Sequence, residues 1–194
     1  MRHFSELSPA AVRVVDAAEG LVQQNGYNGF SYDDVAALVG IKKPGIHHHF
    51  PHKEELVAIV AQRSCHRFRE RLLKIEGSSG APIERLLAYS VLFEGTFSSE
   101  RRLCLCGMLG AESDSLPASV VAIAEEFFGI NVTWLTNVIR AGQGDGTLRT
   151  DTPPECLAEA LLCALEGSMV VGRALRCSRG PAEVGRTVLL GMQI

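Results

Sequence analysis

A chain of 194 residues with 46% hydrophobic content has material for one generous domain or two small ones, and is too apolar for a disordered segment. Its net charge of −3 excludes the broad basic face of a nonspecific nucleic-acid binder, but the charge is uneven: residues 1–76 hold ten Lys/Arg against nine Asp/Glu, the remainder nine against thirteen. Six cysteines in a chain with no apolar leader (it begins MRHFSELSP) argue for reduced thiols over a disulfide framework, and no apolar run approaches the ~20 residues of a membrane span, so a cytoplasmic protein without a membrane partner is expected.

In chain order, Ser8-Pro9 opens a first helix, serine as the cap and proline at the first helical position. Val12, Val15, Ala18, Leu21 and Val22 give it an apolar stripe, and Asn25-Gly26 ends it. After a three-residue loop at 27–29, Ser31 with Asp34 makes a capping-box-like start, while Phe30 and Val35 stand as a hydrophobic staple around it. Val35, Ala36 and Val39 recur at helical spacing until Gly40, which readily takes the left-handed backbone that follows a helix end. The next helix begins near Pro44 and is short, because Phe50-Pro51 restricts the backbone before the proline. Helix, glycine turn, helix within 31–53 is the plan of a helix-turn-helix, whose second helix enters the major groove. Its core is expected to contain Val15, Leu21, Val22, Phe30, Val35, Ile46 and Phe50.

A long helix from about Lys53 to Glu76 follows, with Leu56, Ile59, Val60, Phe68 and Leu72 on one face. Arg63, Arg67, Arg69 and Arg71 lie on the other, read as a solvated surface paired with Glu70 and Glu76. GSSGAP at 77–82 is a break. Beyond it come helices over Pro82–Phe97, about Arg101 to Ala111, Pro117 to about Arg140, Pro153-Pro154 to about Arg176 with Thr152 or Asp151 as cap, and Ala182–Met192; GQGDGTLRTD at 142–151 is read as a loop. No segment alternates like a surface strand. The fold class is therefore all-α, with about nine helices. A helix-turn-helix domain over 1–53 is joined by the long helix to a helical ligand-binding and dimerisation bundle over 54–194.

Residues 12–56 resemble the DNA-binding domain of the TetR (tetracycline-repressor-like) family of bacterial transcriptional regulators. The match lies in Ala17-Ala18, Leu21, Gly26-Tyr27, Ser31, Val35-Ala36, Gly40-Ile41, Lys43, His48-His49-Phe50, Lys53 and Glu54-Glu55-Leu56. The second half is similar only in its helical layout. The resemblance implies a homodimer that lays one recognition helix on each half of a palindromic operator, and a small-molecule effector in the C-terminal half that weakens DNA binding. A repressor is expected, not an enzyme, and no cofactor. Carried over by position, the DNA contacts are Ser31, Tyr32, Lys42, Lys43, Pro44, Gly45, His47, His48, His49 and Lys53. Lys43 stands where guanine O6/N7 is in reach, and Lys53 matches a phosphate-contacting lysine. Pro44-Gly45 replaces the family's common small-Thr pair, and His47 replaces a tyrosine, which makes that phosphate contact pH-dependent.

Phe93, Phe97, Cys106, Met108, Phe127, Phe128, Trp134 and Met169 are candidates to line an apolar effector cavity, with Glu112, Asn131 and Asn137 as polar residues to orient its occupant. CLCGML at 104–109 admits three accounts: a thiol sensor of oxidants or electrophiles at Cys104/Cys106, with Arg101 and Arg102 lowering a thiol pKa; a metal site; or two small core residues. Histidines 47–49 point ~100° apart along a helix and cannot converge on one ion. The small residues Ala158, Ala160, Ala164, Gly167 and Gly172 suit close helix packing, either across a dimer or within one bundle. A helical enzyme is the competing class, but no HExxH pair, GxSxG elbow or nucleotide-binding glycine loop is present, and GQGDG lacks the strand and the Lys-Ser/Thr of a phosphate loop.

Overall fold

The computed structural model describes residues 3–78, 80–176 and 179–194; Ser79, inside the expected break, and Cys177 lie outside the described residues. Nine α-helices occupy the described residues: α1 Pro9–Asn25, α2 Tyr32–Val39, α3 Lys43–His49, α4 Lys53–Glu76, α5 Pro82–Phe97, α6 Leu105–Ala111, α7 Ala118–Gly144, α8 Pro154–Leu175 and α9 Pro181–Leu190, with single 3-10 turns at Phe4–Glu6 and Ser113–Ser115. The only strand-like pairing among the described residues is one bridge between Leu148 and Gln193. The chain is all-α, as its periodicity predicts.

Packing divides the chain into two compact units, Met1–Arg67 with Leu105–Phe127, and Phe68–Cys104 with Phe128–Ile194. In the first, α1 packs on α2, α3 and α6. All seven expected core residues of the helix-turn-helix are buried. The start of α4 is buried on every side, from Leu56 through Ala61, rather than along the one face that Leu56, Ile59 and Val60 suggested. The arginine surface of α4 is also not wholly solvated. Arg63 is 12% exposed and pairs with Asp16 at 2.7 Å and Glu19 at 3.0 Å, and Arg67 joins the same Glu19. Both acids lie on α1, a tertiary pairing invisible to a scan for neighbours four residues apart.

In the second unit α5, α8 and α9 pack together. Gly185 on α9 has to be a glycine, since a Cβ there would come within 2.4 Å of Ser90 Oγ on α5. The Glu94 carboxylate accepts the Ala182 N–H at 3.1 Å, satisfying a donor at the start of α9. Three element bounds depart from expectation. α6 starts at Leu105, so Cys104 precedes it. α7 continues through Gly142 to Gly144, because the bare Cα of Gly142 leaves room for the buried Leu148 to fold back, and the Gly142 carbonyl accepts the Thr147 and Leu148 N–H groups, both at 2.9 Å. The α8 cap is Pro153: Asp151 is held by Arg149 at 2.5 Å, and the Thr152 carbonyl by Gln143 at 2.9 Å. α7 also has the length and composition of a membrane span, with a mean hydropathy of 1.3. Counting apolar runs misses this because Glu125-Glu126 interrupts the sequence; Val120, Ala124, Phe127, Leu135 and Ile139 of this helix are buried within the protein.

Candidate nucleic-acid interface

Local chemistry sets the reading helix. The Asp34 carboxylate accepts from the Ser31 N–H at 2.7 Å and from the Ser31 hydroxyl at 2.8 Å, fixing the start of α2. Gly40 adopts φ 73°, ψ 32°, the left-handed conformation that turns the chain into α3 at little steric cost. Ile46 and Phe50, both fully buried, pin one side of α3 to the core. What remains on its outer side is Lys42, Lys43, Pro44, His47 and His48, all exposed, with Gly45 and His49 half-buried. His48 and His49 meet edge to face with centroids 5.4 Å apart.

Between the starts of α2, α3 and α4 lies an open concavity of about 350 Å³, lined by Phe30, Ser31, Tyr32, Lys43, His47, Pro51, His52 and Lys53. Five of the ten residues expected to touch DNA meet here, although they are spread over 23 positions of sequence. Two lysines, two histidines and the first N–H groups of α2 give it the character of an anion cradle. The two lysines are nevertheless engaged. Lys43 Nζ donates to Asp33 at 2.8 Å in an exposed pair. Lys53 Nζ donates to the Phe30 carbonyl and lies over the Phe30 and Tyr27 rings, 4.1 and 4.8 Å from their centroids. Desolvation lowers the Lys53 pKa, against the opposing pull of Glu112 and Asp34.

Tyr32 departs from its expected role as a backbone clamp. It is 6% exposed, and its hydroxyl donates to the Phe50 carbonyl at 2.8 Å. Burial raises its pKa, as does the charge of Glu55, and its ring meets His47 edge to face at 4.8 Å. Tyr32 thus fastens the end of α3 to the start of α2 and positions His47, whose Nδ1 lies 3.3 Å from the Pro51 carbonyl.

Glu112 is a second correction. Instead of orienting an effector, its carboxylate accepts the Tyr27 N–H at 2.5 Å and the Asn28 N–H at 3.3 Å, within the first unit. Gly26, at φ 77°, gives it room, because a Cβ there would sit 2.7 Å from Glu112 Oε2. Asn28 also donates to Ser115 at 3.0 Å. The segment after α6 therefore holds the loop that leads into α2. The sequence signal for this was Gly26-Tyr27, but its partner lies 85 residues away.

The residues expected to line an effector cavity divide between the units. Phe93, Phe97 and Met169 are buried in the second unit, where Phe128 and Trp134 are half-buried; Cys106 and Phe127 are buried and Met108 half-buried in the first. Asn137 is exposed and accepts from Arg140. In the second unit a polar cluster sits among aromatic rings. Tyr89 is fully buried, stacks on Trp134 with centroids 5.4 Å apart, and donates to Asn131 at 2.7 Å, while Phe68 and Phe93 flank it. Burial raises the Tyr89 pKa, and the nearby Glu166 adds to the effect. Burial also pushes the Glu166 carboxyl up to about 7, opposed by a hydrogen bond from the Cys104 thiol. Glu166 Oε1 and Trp134 Nε1 are buried with no hydrogen-bond partner in the protein. Tyr89 and Glu166 were missed in the sequence because a lone acid or tyrosine on an amphipathic helix carries no local mark of burial.

Cys104 and Cys106 do not form a pair: Cys104 bonds Glu166 in the second unit, while Cys106, in the first, has its Sγ 3.6 Å from Cys65 Sγ. Among the described residues no group of three or more His, Cys, Asp or Glu side chains is arranged to hold a metal ion.

The family profile described as bacterial regulatory proteins, tetR family, matches residues 14–60, which span α1 to the start of α4. The chain is 25% identical over 187 residues to the HTH-type transcriptional repressor DhaR of Mycobacterium sp. (strain GP1), covering 94% of this chain and 91% of that one. Among solved structures it is similar to a TetR-family transcriptional regulator from Agrobacterium tumefaciens (TM-score 0.86, 29% identity, 95% of this chain and 98% of that one). It is also similar to a TetR transcriptional regulator from Legionella pneumophila (TM-score 0.85, 27% identity, 97% and 100%). With the helix-turn-helix and its anion cradle at one end of the chain, residues 14–60 are a DNA-binding domain of the tetR family, and the likeness to TetR-family transcriptional regulators runs over nearly the whole chain.

Proposed function

We propose that this protein is a repressor that holds a palindromic operator as a homodimer in the cytoplasm and releases it when a small effector binds the C-terminal bundle. It acts by binding alone, without catalysis. The carrying observation is the outer side of α3, where Lys42, Lys43, Pro44, His47 and His48 are exposed in one run beside the cradle that holds Lys53. Lysines at the first turn of α3 suit guanine edges, and the cradle suits a backbone phosphate. The functional division falls at 1–53 for DNA and 54–194 for effector and dimer. Dimerisation is supported by α8, whose exposed residues Cys156, Ala160, Cys163, Gly167, Val170 and Ala174 recur at alternating spacings of four and three, the seam of a helix–helix contact. Val170 is 56% and Leu190 of α9 64% exposed, apolar surface that a second copy would cover.

The effector is a mostly apolar molecule with one hydrogen-bond-donating and one hydrogen-bond-accepting group. Tyr89, Trp134, Phe93, Phe97 and Met169 supply the apolar wall, and the unpartnered Glu166 Oε1 and Trp134 Nε1 supply one acceptor and one donor. Its binding changes the separation of the two recognition helices, which read half-sites ~34–36 Å apart. A gel shift with the DNA flanking the protein's own gene, repeated at raised salt, tests this. Binding that survives nonspecific competitor is expected; binding that ignores sequence and vanishes with salt would refute an operator-specific repressor.

A further inference from the structure

We propose that Cys65 and Cys106 are a thiol pair that closes to a reversible disulfide under peroxide, and that the closed form binds the operator less tightly. Their sulfurs are 3.6 Å apart, Cys65 on α4 and Cys106 on α6, both within the first unit. A disulfide needs about 2.05 Å, so roughly 1.5 Å of closure is required, a shift within reach of side-chain rotation and slight helix movement. Access differs between the two. Cys65 is half-buried and Cys106 is 2% exposed, which makes Cys65 the thiol that meets the oxidant and Cys106 the one that resolves it.

The oxidant is a hydroperoxide. The Cys65 sulfur attacks a peroxide oxygen, the O–O bond breaks, and Cys65 becomes a sulfenic acid while the other oxygen leaves as water or an alcohol. The Cys106 sulfur then attacks Cys65 Sγ, the S–O bond breaks, and that oxygen leaves as water. Two thiols lose two electrons and two protons in all, and the peroxide is reduced.

The consequence for DNA follows from what the two helices hold. α4 opens with Lys53, which is bonded to the Phe30 carbonyl at the edge of the cradle. α6 packs on α1 and runs on to Glu112, which holds the Tyr27 and Asn28 N–H groups ahead of α2. Drawing Cys65 and Cys106 together therefore loads both supports of the recognition helix at once. Cys104, which the sequence placed beside Cys106 as a candidate sensor thiol, is hydrogen-bonded to Glu166.

The purified dimer, treated with graded hydrogen peroxide, alkylated and digested without reductant, should yield the Cys65–Cys106 linked peptide at doses that leave Cys104 as a thiol. The dose at which Cys104 is first modified serves as the internal gauge of how far oxidation has gone. A Cys104–Cys106 link, or modification of Cys104 with Cys65 and Cys106 still reduced, overturns the proposal. In anisotropy titrations the oxidised protein should bind operator about tenfold more weakly, recover with dithiothreitol, and lose this response in Cys65→Ala. Because Cys106 is buried, Cys106→Ala is the second variant, checked by its unfolding temperature before use. Unchanged affinity in the linked form also overturns the switch. The DNA readout rests on the repressor reading, but the two fail separately: absence of any specific operator binding by the reduced protein counts against the repressor, while the linked peptide is scored without DNA.

Discussion

Lys53 and Glu166 are both ionisable groups drawn away from water, and the protein answers them differently. Lys53 keeps its charge, with the Phe30 carbonyl as acceptor and two aromatic rings beneath the ammonium. Glu166 has the Cys104 thiol as a partner for its carboxyl and an oxygen with none, and the Trp134 indole N–H of the same unit is also buried without a partner. A satisfied buried network fixes a geometry, and a partly satisfied one stores a cost that something else can relieve. The first arrangement suits a surface that must present one shape to DNA. The second suits a site whose occupancy is meant to change. This contrast can be broken at either end.

The largest expected effect is at Glu166. Its carboxyl titrates at about 7 in the fold against an ordinary 4.5. Below pH 4.5 both folded and unfolded states are protonated and burial costs nothing. Between 4.5 and 7 the unfolded chain ionises first, so stability is lost as pH rises, and the loss is complete above 7. Glu166→Gln should flatten this slope, leaving stability near wild type at pH 4.5 and about 3 kcal/mol higher at pH 8. Urea unfolding at the two pH values measures it. Equal gains at both would mean the carboxyl is not held off water. An effector that donates to Glu166 should lose affinity in the same variant.

Next is Lys53→Ala, which removes the ammonium from the cradle and leaves the Phe30 carbonyl without its donor. Operator affinity should fall by about 2 kcal/mol, roughly thirtyfold, with the salt slope reduced by about one. Effector affinity of the free protein should be unchanged in calorimetry. Loss of both would place Lys53 in the fold instead of the interface. Glu112→Ala comes third, at about 1.5 kcal/mol of stability for the two N–H groups left open at Tyr27 and Asn28. Hydrogen exchange at those two amides separates a local effect from a global one: faster exchange is expected there well before it spreads through α1.

The two regions were also unequally legible in the sequence. The helix-turn-helix is written in contacts three or four residues apart: the Ser31–Asp34 cap, the left-handed Gly40, the stop at Phe50-Pro51. Its core and most of its exposed face could therefore be read from spacing and turn chemistry. What escaped even there was non-local: Tyr32 turned inward to Phe50, 18 residues on, and Glu112 reaching back 85. In the second unit almost everything that matters is of that kind. Helical periodicity says that Phe93 and Met169 face inward, but not that Tyr89, Trp134 and Glu166 share an interior. The spacing of Cys104 and Cys106 named no partner for either thiol, and each meets one far off in sequence, Glu166 for Cys104 and Cys65 for Cys106.

The smallest effect is the most discriminating for the DNA face. Asp33 and Lys43 form an exposed pair 2.8 Å apart, with side chains 69% and 46% exposed. Such pairs contribute little to stability, so Asp33→Asn should leave the unfolding midpoint within about 0.5 kcal/mol of wild type. Its effect on DNA has the opposite sign from every other change considered. The acid holds the lysine that would reach a base edge, and it repels the phosphates flanking the groove. Neutralising it should tighten operator binding about two- to threefold, by up to ~0.7 kcal/mol, most visibly at low salt. Lys43→Gln should weaken binding and relax preference at one base position, which a panel of operators mutated base by base would show. If Asp33→Asn weakens binding instead, the salt bridge is the binding-competent geometry: Asp33 would then be orienting Lys43 toward the groove, and the exposed side of α3 would be as finely positioned as the buried one.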